Sequence, residues 1–454
     1  MKRWATRLSL IVLVALAFRL GFAWDYVRHL SHRALSTIPF LFESGNIAHS
    51  VATGAGFGSP FRVDTGPTAW MTPVYPLILA GIMKLFGTYT FPSYLAAVGL
   101  NIGWSALACV PLFYAGKRIG GVGVAATAAW LWAVFPNAIL LSYESLWETS
   151  LSALIGATVL WATLRVAESD RMRDWCLYGL LWGLALMTNA SLLSLLPLLM
   201  GWAAYRRLRQ SGDWKRNAAM AAGLALLCCV PWTIRNYAVF HTFVPLRSVI
   251  GLQLWVGNNP QAKVVWLGEQ HPIHDTAERE RYIQMGEPAY MAEKRSNAIR
   301  YILTHPAREE ELIGGRFIML WAGGSPAPVR DFFANRSLWF RYVLLFNLLT
   351  ACGALLGIIA LVRLDSPFAF PTAVYPLVFP WAYYMTLAYP RYRHPIDPVI
   401  MLLTAVTLWQ LTVWLRKTPV SRPRQEAESR LRGRKERDSG SARIPYKPRR
   451  SSGR

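Results

Sequence analysis

The sequence predicts an all-α polytopic membrane protein with about ten transmembrane helices and two extracytoplasmic loop regions. Three observations support this fold class. Hydrophobic residues make up 54% of the 454 residues and charged residues only 16%, which is too apolar for a soluble chain of this length. Long apolar segments recur from end to end. Basic residues concentrate in the short links between these segments, a pattern typical of cytoplasmic links.

The first predicted span follows a basic amino terminus and continues to Trp24, which favours an uncleaved anchor over a signal peptide. The segment 176–205 has basic residues at both flanks, so we predict two short spans broken near Thr188 and Asn189. The full set of predicted spans is about 8–24, 93–115, 122–141, 146–166, two within 176–205, 218–232, 342–362, 368–388 and 396–414.

Two polar regions lie between the spans, and the basic links predict both to be extracytoplasmic. The first polar region is 25–92 and the second is 235–341. Apolar residues 72–86 of the first contain two prolines and are short, so we predict a helix along the membrane surface. In the second, we predict one amphipathic helix over 275–302 and an interfacial apolar patch at 317–321.

We predict a transmembrane catalytic domain over 1–416 and a basic, disordered cytoplasmic tail over 417–454. The net charge of +23 lies mainly in the tail and links. That placement favours attraction to anionic membrane lipids over binding of nucleic acid. The five cysteines all fall in apolar segments and are predicted to be buried apolar side chains.

Residues 40–76, FLFESGNIAHSVATGAGFGSPFRVDTGPTAWMTPVYP, are the most informative stretch. They carry Glu43 and Asp64 in a setting rich in glycine and proline. A polar loop of this kind at a membrane edge is where a membrane enzyme places its chemistry.

Four arginines stand near the predicted outer ends of spans: Arg19, Arg235, Arg391 and Arg393. A guanidinium binds two phosphate oxygens at once, so these residues are candidates for a phosphate site. The alternative is contact with lipid headgroups.

Other ionisable residues give weaker signals. Glu144 and Glu148 flank the outer start of a span, where we expect them to pair with arginines or cap the helix. His271 and His274 form an HxxH pattern, but a single such pattern in a loop favours ordinary solvated side chains over a metal site.

A resemblance becomes specific when the motifs are taken together. In order they are FRLGF, FESGNIAHSVATGAGF, TGPTAWMTPVYPLILAGIMKLFG, AGKRIGG, GLALMTNASLLSLLP, VPWTIRNY and PRYRHPIDPVI. The chain resembles the GT-C-fold glycosyltransferases of the protein O-mannosyltransferase and aminoarabinose-lipid A transferase superfamily. The resemblance covers nearly all of the chain before the tail. It implies transfer of a sugar from a polyprenyl-phosphate donor to an acceptor on the extracytoplasmic face.

The family places its catalytic acid early in the first outer loop, and Glu43 matches that position best. Many members carry an Asp-Glu pair followed by tyrosine there, whereas this chain has Phe-Glu-Ser. Asp64 and Asp25 therefore remain alternatives for the catalytic carboxylate. A histidine-containing stretch of the family is replaced here by Thr-Pro-Val-Tyr-Pro at 72–76, so no histidine role is expected in it.

This chemistry fits the residues. An acceptor hydroxyl needs a carboxylate to take its proton as it attacks the sugar carbon C1, and the departing phosphate needs stabilisation of its charge, which arginines supply. We therefore expect an inverting displacement with Glu43 as general base and Arg391, Arg393, Arg235 or Arg19 at the donor phosphate. No metal or cofactor is predicted.

Two other functions remain open at this point. A transporter or flippase of lipid-linked sugars is expected to show internal repeats, and none is evident. A polysaccharide polymerase or ligase would use a diphosphate donor. The acceptor is a lipid, a glycan or a protein hydroxyl, and the predicted location is the bacterial inner membrane with the site on the extracytoplasmic face.

Overall fold

The computed structural model describes residues 2–31, 34, 40–210, 214–266, 268–335 and 337–417. Within these ranges the chain is helical, with turns and no β-strand. Numbered in order, the α-helices are α1 Lys2–His29, α2 Glu43–Ala52, α3 Val74–Phe86, α4 Phe91–Leu107, α5 Cys109–Ala133, α6 Pro136–Leu140, α7 Thr149–Val166, α8 Met172–Thr188, α9 Leu196–Leu208, α10 Trp214–Phe240, α11 Ile250–Gly257, α12 Thr276–Met285, α13 Glu287–Thr304, α14 Pro306–Trp321, α15 Pro328–Ala334, α16 Leu338–Arg363, α17 Ala369–Val378, α18 Trp381–Tyr384, α19 Pro390–Arg393 and α20 Asp397–Lys417. Short 3-10 helices cover Ala190–Ser194 and His394–Ile396.

Six of the described segments are long and apolar enough to cross a membrane. They are Arg7–His29, Phe91–Ala133, Thr149–Val166, Trp214–Phe240, Leu338–Arg363 and Pro390–Leu415. A segment of about 20 apolar residues is needed for one crossing, so the protein is an all-α integral membrane protein. The predicted number of ten crossings is not confirmed.

Two predicted helix breaks are present in the structure. Helix α8 ends at Thr188, and the backbone of Asn189 is extended while its side chain accepts a hydrogen bond from the Ser191 N–H at 3.0 Å. The second break follows the basic link after 115, where Gly120 and Gly121 leave the helical conformation inside α5. Gly121 has φ of 77°, which glycine adopts without steric cost.

Three other predicted elements were wrong in extent. The helix expected over 275–302 is two helices, because Gly286 between α12 and α13 has φ of 73°. The span expected over 368–388 is divided into α17 and α18, the second beginning after Pro380. The span expected over 122–141 stops at Ala133, and Pro136 starts a new short helix. Proline and positive φ interrupt helices even inside apolar segments.

The main core joins the spans and holds the segment that precedes α20. Trp132, Trp175 and Trp182 are fully buried in it. Gly156 of α7 faces the backbone oxygen of Pro395 so closely that a side-chain carbon at 156 would collide with it. This contact fixes the turn between α19 and α20 against α7, which places the arginine segment of α19.

The described residues up to Thr407 form one compact unit, and those from Leu408 onward belong to a second. Only the last turns of α20, up to Lys417, are described in that second unit. The predicted domain boundary at 416 stays a prediction, and the predicted basic tail lies outside the described residues from 418 onward.

Candidate active site

A cavity of about 520 Å³ lies within the first unit, lined by both polar regions and by the ends of several helices. Its size is in the range of small-molecule sites. The ionisable side chains that line it are Glu43, Glu144, Glu148, Arg247, His271, His274, Tyr383, Tyr389, Arg391 and Tyr392. The cavity thus brings together residues that are more than 300 positions apart in the chain.

Glu43 is the first residue of α2 and is 8% exposed. The helix is held in place by its next residues: the Ser44 hydroxyl donates to the Leu146 carbonyl at 2.7 Å, and Asn46 donates to the Pro60 carbonyl at 3.0 Å. Burial raises the pKa of the Glu43 carboxyl, while nearby guanidinium groups oppose that rise. The carboxylate is therefore a stronger base than an exposed glutamate.

His271 faces this carboxylate. Its Nε2 lies 3.7 Å from Glu43 Oε1, and its Nδ1 accepts the backbone N–H of Ile273 at 3.2 Å. Burial, followed by the charges of His274 and Arg391, lowers the pKa of His271 to about 3. The imidazole is therefore neutral at physiological pH, and because Nδ1 accepts, its proton is on Nε2 and points toward Glu43.

Glu148 is another carboxylate at the cavity, and the helix cap that was one of the roles expected for it is absent. It occupies the position before α7, yet its side chain does not cap that helix. Its Oε2 is buried without a hydrogen-bond partner among the described residues. Burial raises the pKa of this carboxyl as well. A buried oxygen without a partner is costly in a folded protein, which marks Glu148 as a candidate for substrate contact.

Two arginines supply positive charge at the cavity. The guanidinium carbon of Arg391 lies 4.3 Å from the centre of the Trp147 ring, and its Nη2 donates to the Tyr392 hydroxyl at 3.3 Å. Arg247 lines the same cavity. Within the described part of the chain neither forms a direct ion pair, although both lower the pKa of Glu43 and Glu148 through their charge. Both guanidinium groups are thus available to an anion.

Arg393 is placed differently from its neighbour. It is 1% exposed, and its Nε donates to Asp397 Oδ1 at 2.7 Å. Its other nitrogens donate to the Asn347 side chain and to the carbonyls of Leu320 and Trp321. Arg393 does not line the cavity. These contacts use the guanidinium to join α14, α16 and α20, away from the cavity where we predicted a phosphate contact.

Arg235 and Arg19 also bind protein rather than line the cavity. Arg235 donates to the carbonyls of Thr68 at 2.7 Å and Phe57 at 2.6 Å. Arg19 is fully buried and donates to the Ser105 hydroxyl at 2.8 Å and the Ala133 carbonyl at 3.0 Å. Arg235 therefore anchors the first polar region, and Arg19 joins α1 to α4 and α5.

The two alternative acids are exposed and lie away from the cavity lining. Asp64 accepts from the Ser59 hydroxyl at 2.8 Å and the Gly66 N–H at 3.1 Å, and these bonds lower its pKa. Asp25 lies beside His29 at 3.7 Å near the end of α1. Of the three predicted acids, only Glu43 lines the cavity.

His271 and His274 have ring centres 6.4 Å apart. Among residues that the structure describes, no group of three or more His, Cys, Asp or Glu side chains is arranged to hold a metal ion.

The arrangement of membrane helices and two polar regions is the GT-C fold of membrane glycosyltransferases. Residues 70–234 match the family described as dolichyl-phosphate-mannose-protein mannosyltransferase. The resemblance drawn from the sequence motifs is thereby confirmed. Among curated proteins, none matches this sequence.

Solved structures of low sequence identity share the fold. The oligosaccharyltransferase AglB from Archaeoglobus fulgidus, in complex with an inhibitory peptide and a dolichol-phosphate, matches with a TM-score of 0.57 at 12% identity, over 98% of this chain and 52% of that one. The Archaeoglobus fulgidus oligosaccharyltransferase in complex with zinc and sulfate matches with a TM-score of 0.55 at 12% identity, over 90% and 49%. This chain therefore spans about half the length of these relatives.

Proposed function

We propose that this protein is a membrane glycosyltransferase that moves a sugar from a polyprenyl-phosphate donor to a hydroxyl-bearing acceptor. The observation that carries the proposal is one cavity lined by three carboxylates of raised pKa, Glu43, Glu144 and Glu148, and by two arginines that form no direct ion pair among the described residues. A carboxylate of raised pKa suits removal of a proton, and the arginines suit binding of a phosphate. The shared fold and the family match over 70–234 support the same class.

In the proposed reaction Glu43 is the general base. The acceptor oxygen attacks C1 of the sugar while Glu43 takes the hydroxyl proton. The bond between C1 and the phosphate oxygen breaks, and the electron pair leaves with the polyprenyl phosphate. Attack on the face opposite the leaving group inverts the configuration at C1. The neutral Nε2–H of His271 faces the base without neutralising it.

Arg391 and Arg247 bind the donor phosphate in this proposal. The leaving group is already an anion, so it requires compensation of charge rather than protonation. Arg391 stacks on Trp147, which reduces the entropy lost when its planar group meets phosphate oxygens. This assignment keeps Arg391 from the sequence prediction and replaces the other three arginines with Arg247.

Glu148 is another carboxylate of the site, and we assign it to the acceptor. Its unpartnered oxygen is able to accept a hydrogen bond from an acceptor hydroxyl next to the attacking one. Glu148→Gln is then expected to raise the acceptor KM more than it lowers kcat, and Glu43→Gln to do the reverse. If the two effects are exchanged, Glu148 is the base.

We place the cavity on the extracytoplasmic side of a bacterial inner membrane, following the distribution of basic links. The acceptor class remains lipid, glycan or protein. A polymerase or ligase with a diphosphate donor and a flippase of lipid-linked sugars are the competing functions. The choice of donor distinguishes a polymerase or ligase from the proposed transferase. Covalent transfer of the sugar distinguishes the transferase from a flippase.

Purified protein in lipid bilayers, given matched polyprenyl-monophosphate and polyprenyl-diphosphate sugars, tests the proposal. We expect tighter binding of the monophosphate donor and weaker binding of it in Arg391→Ala. Binding of the diphosphate donor alone would favour a polymerase or ligase. Movement of the donor across the bilayer without loss of its sugar, unaffected by Glu43→Gln, would favour a flippase.

A further inference from the structure

A buried carboxylate outside the cavity ties the two polar regions together. Glu287, the first residue of α13, is 3% exposed and accepts four hydrogen bonds. Oε2 accepts from the hydroxyls of Thr68 and, at 2.6 Å, Tyr282. Oε1 accepts from the Ala69 N–H and the Ser248 hydroxyl, both at 2.7 Å. Three separate stretches of the chain thus converge on one side chain.

Thr68 accepts two further hydrogen bonds. Its carbonyl accepts from Arg235, and its hydroxyl oxygen accepts the Trp70 N–H at 3.0 Å. Because that hydroxyl donates to Glu287, its lone pair is directed toward the Trp70 N–H. The orientation of the backbone at 68–70 therefore depends on the carboxylate at 287.

Trp70 carries this orientation into the cavity. Its side chain lines the cavity, and its ring centre lies 5.4 Å from that of His271 and 5.0 Å from that of Phe61, in edge-to-face contacts. His271 in turn faces Glu43. A continuous set of contacts therefore leads from Glu287 through Thr68, Trp70 and His271 to the proposed base.

We propose that Glu287 is a positioning residue: it locks residues 68–70 of the first polar region to the second and so holds Trp70 and His271 against Glu43. The proposal rests on the proposed function for its effect on catalysis. Glu287 does not line the cavity, so it acts only through the residues it orders.

A carboxylate suits this position because three hydroxyls and one backbone N–H all donate to it. A carboxylate only accepts hydrogen bonds, whereas one end of a glutamine amide only donates. Glu287→Gln keeps the size of the side chain but leaves at least one donor pair facing an NH2 group. Thr68→Val removes the hydroxyl at nearly constant volume, and Thr68→Ser restores it.

The experiment measures backbone hydrogen exchange of the intact protein in lipid, together with turnover and donor binding. The variants are Glu287→Gln, Thr68→Val and Thr68→Ser. The control is Glu309→Gln, a carboxylate of the second polar region that is 6% exposed, lies 3.7 Å from Arg316 and does not line the cavity.

We expect Glu287→Gln and Thr68→Val to exchange about tenfold faster at 68–71 and at 271–275, where the Ile273 and His274 amides are bonded around His271. Turnover should fall about 10- to 100-fold, as expected for a small displacement of a reacting group. Donor binding should stay within about twofold. Thr68→Ser should behave like the parent, and Glu309→Gln should leave exchange at both segments unchanged.

Several results would overturn the proposal. They are unchanged exchange at 271–275 in Glu287→Gln, normal turnover despite faster exchange, or the same changes in Glu309→Gln. If the parent transfers no sugar from any donor, the proposed function fails. Hydrogen exchange at 271–275 still decides whether Glu287 orders the segment around His271.

Discussion

His271 Nε2 lies 3.7 Å from Glu43 Oε1, and the other ring nitrogen of His271 is occupied by the Ile273 N–H. The ring is therefore neutral, with its pKa lowered to about 3 by burial and neighbouring charge, and its Nε2 faces the carboxylate at a distance longer than a hydrogen bond. A charged histidine at this position would neutralise the carboxylate. A neutral histidine leaves the carboxylate able to accept a proton.

Glu43→Gln should reduce sugar transfer by about 100- to 10,000-fold, the usual contribution of a general base. The amide keeps the shape of the side chain but cannot take a proton, so donor binding should be retained. Turnover with a purified donor and binding of that donor are the two measurements.

Asp64→Asn and Asp25→Asn are the matched controls for Glu43→Gln, because both acids are exposed and away from the cavity lining. Their turnover should stay close to that of the parent. Near-normal turnover in Glu43→Gln, with a large loss in either control, would return the catalytic role to one of these acids.

Arg391→Ala and Arg247→Ala should weaken donor binding as well as slow transfer, since the phosphate is charged both before and during the reaction. Arg391→Lys keeps the charge but loses the planar two-pronged contact, so it should recover only part of the affinity. Arg62→Ala, an exposed arginine of the first polar region outside the cavity lining, serves as control. Parent-like donor affinity in both cavity variants would remove the proposed phosphate site.

Arg393→Ala should lower the stability of the folded protein. It removes the guanidinium from Asp397, which is fully buried and then keeps His394 Nδ1 at 3.3 Å from its other carboxylate oxygen, and breaking a buried pair costs about 3–5 kcal/mol. Arg393→Lys keeps a cation near Asp397 and should lose less folding stability than Arg393→Ala. Thermal unfolding in detergent or lipid, paired with donor binding of the folded fraction, separates stability from function. Stable Arg393→Ala protein that has lost donor binding would return Arg393 to the phosphate site.

Glu148→Gln should make the protein more stable near neutral pH while impairing its activity. Burial raises the pKa of Glu148 above its usual 4.5, so the ionised form is disfavoured in the folded state. Below the pKa that this carboxyl has in the unfolded chain, the contribution of Glu148 to folding stability is fully present. That contribution is lost as the pH rises through the raised pKa of the folded protein.

The uncharged amide escapes this loss, so the stability gained in Glu148→Gln should grow over the same pH range and be small at acidic pH. A shift in Tm on the order of 1–2 °C near neutral pH is the expected scale. A variant that is less stable than its parent near neutral pH would show that ionised Glu148 stabilises the fold.

Sequence reasoning located Glu43 and Arg391 because each stands next to a feature visible in the chain, a polar loop or the end of a span. It did not identify Arg247 as a residue of the cavity lining or Glu148 as a candidate for substrate contact. Arg247 lies within a long polar stretch and reaches the cavity only through folding of the second polar region. Glu148 stands at a helix start, where capping is the usual role for an acid, and the absence of a cap is visible only in the structure.

The same limit applies to the arginines that do not line the cavity. Two of the hydrogen-bond partners of Arg19 are Ser105 and Ala133, which lie 86 and 114 residues away in the chain. Those of Arg235 lie in the first polar region, more than 160 residues earlier. An arginine at a membrane edge signals a need for polar partners, but the fold decides whether protein or ligand supplies them.

The central claim is tested most directly by mass spectrometry of lipid-linked sugars and envelope glycans in cells that lack this protein. Complementation is done with the parent chain or Glu43→Gln at equal expression. We predict that one polyprenyl-phosphate sugar accumulates in the deficient cells and that one glycan or glycolipid lacks the same sugar. The parent should restore both and Glu43→Gln neither. Full restoration by Glu43→Gln, or no change in any lipid-linked sugar, would contradict the account.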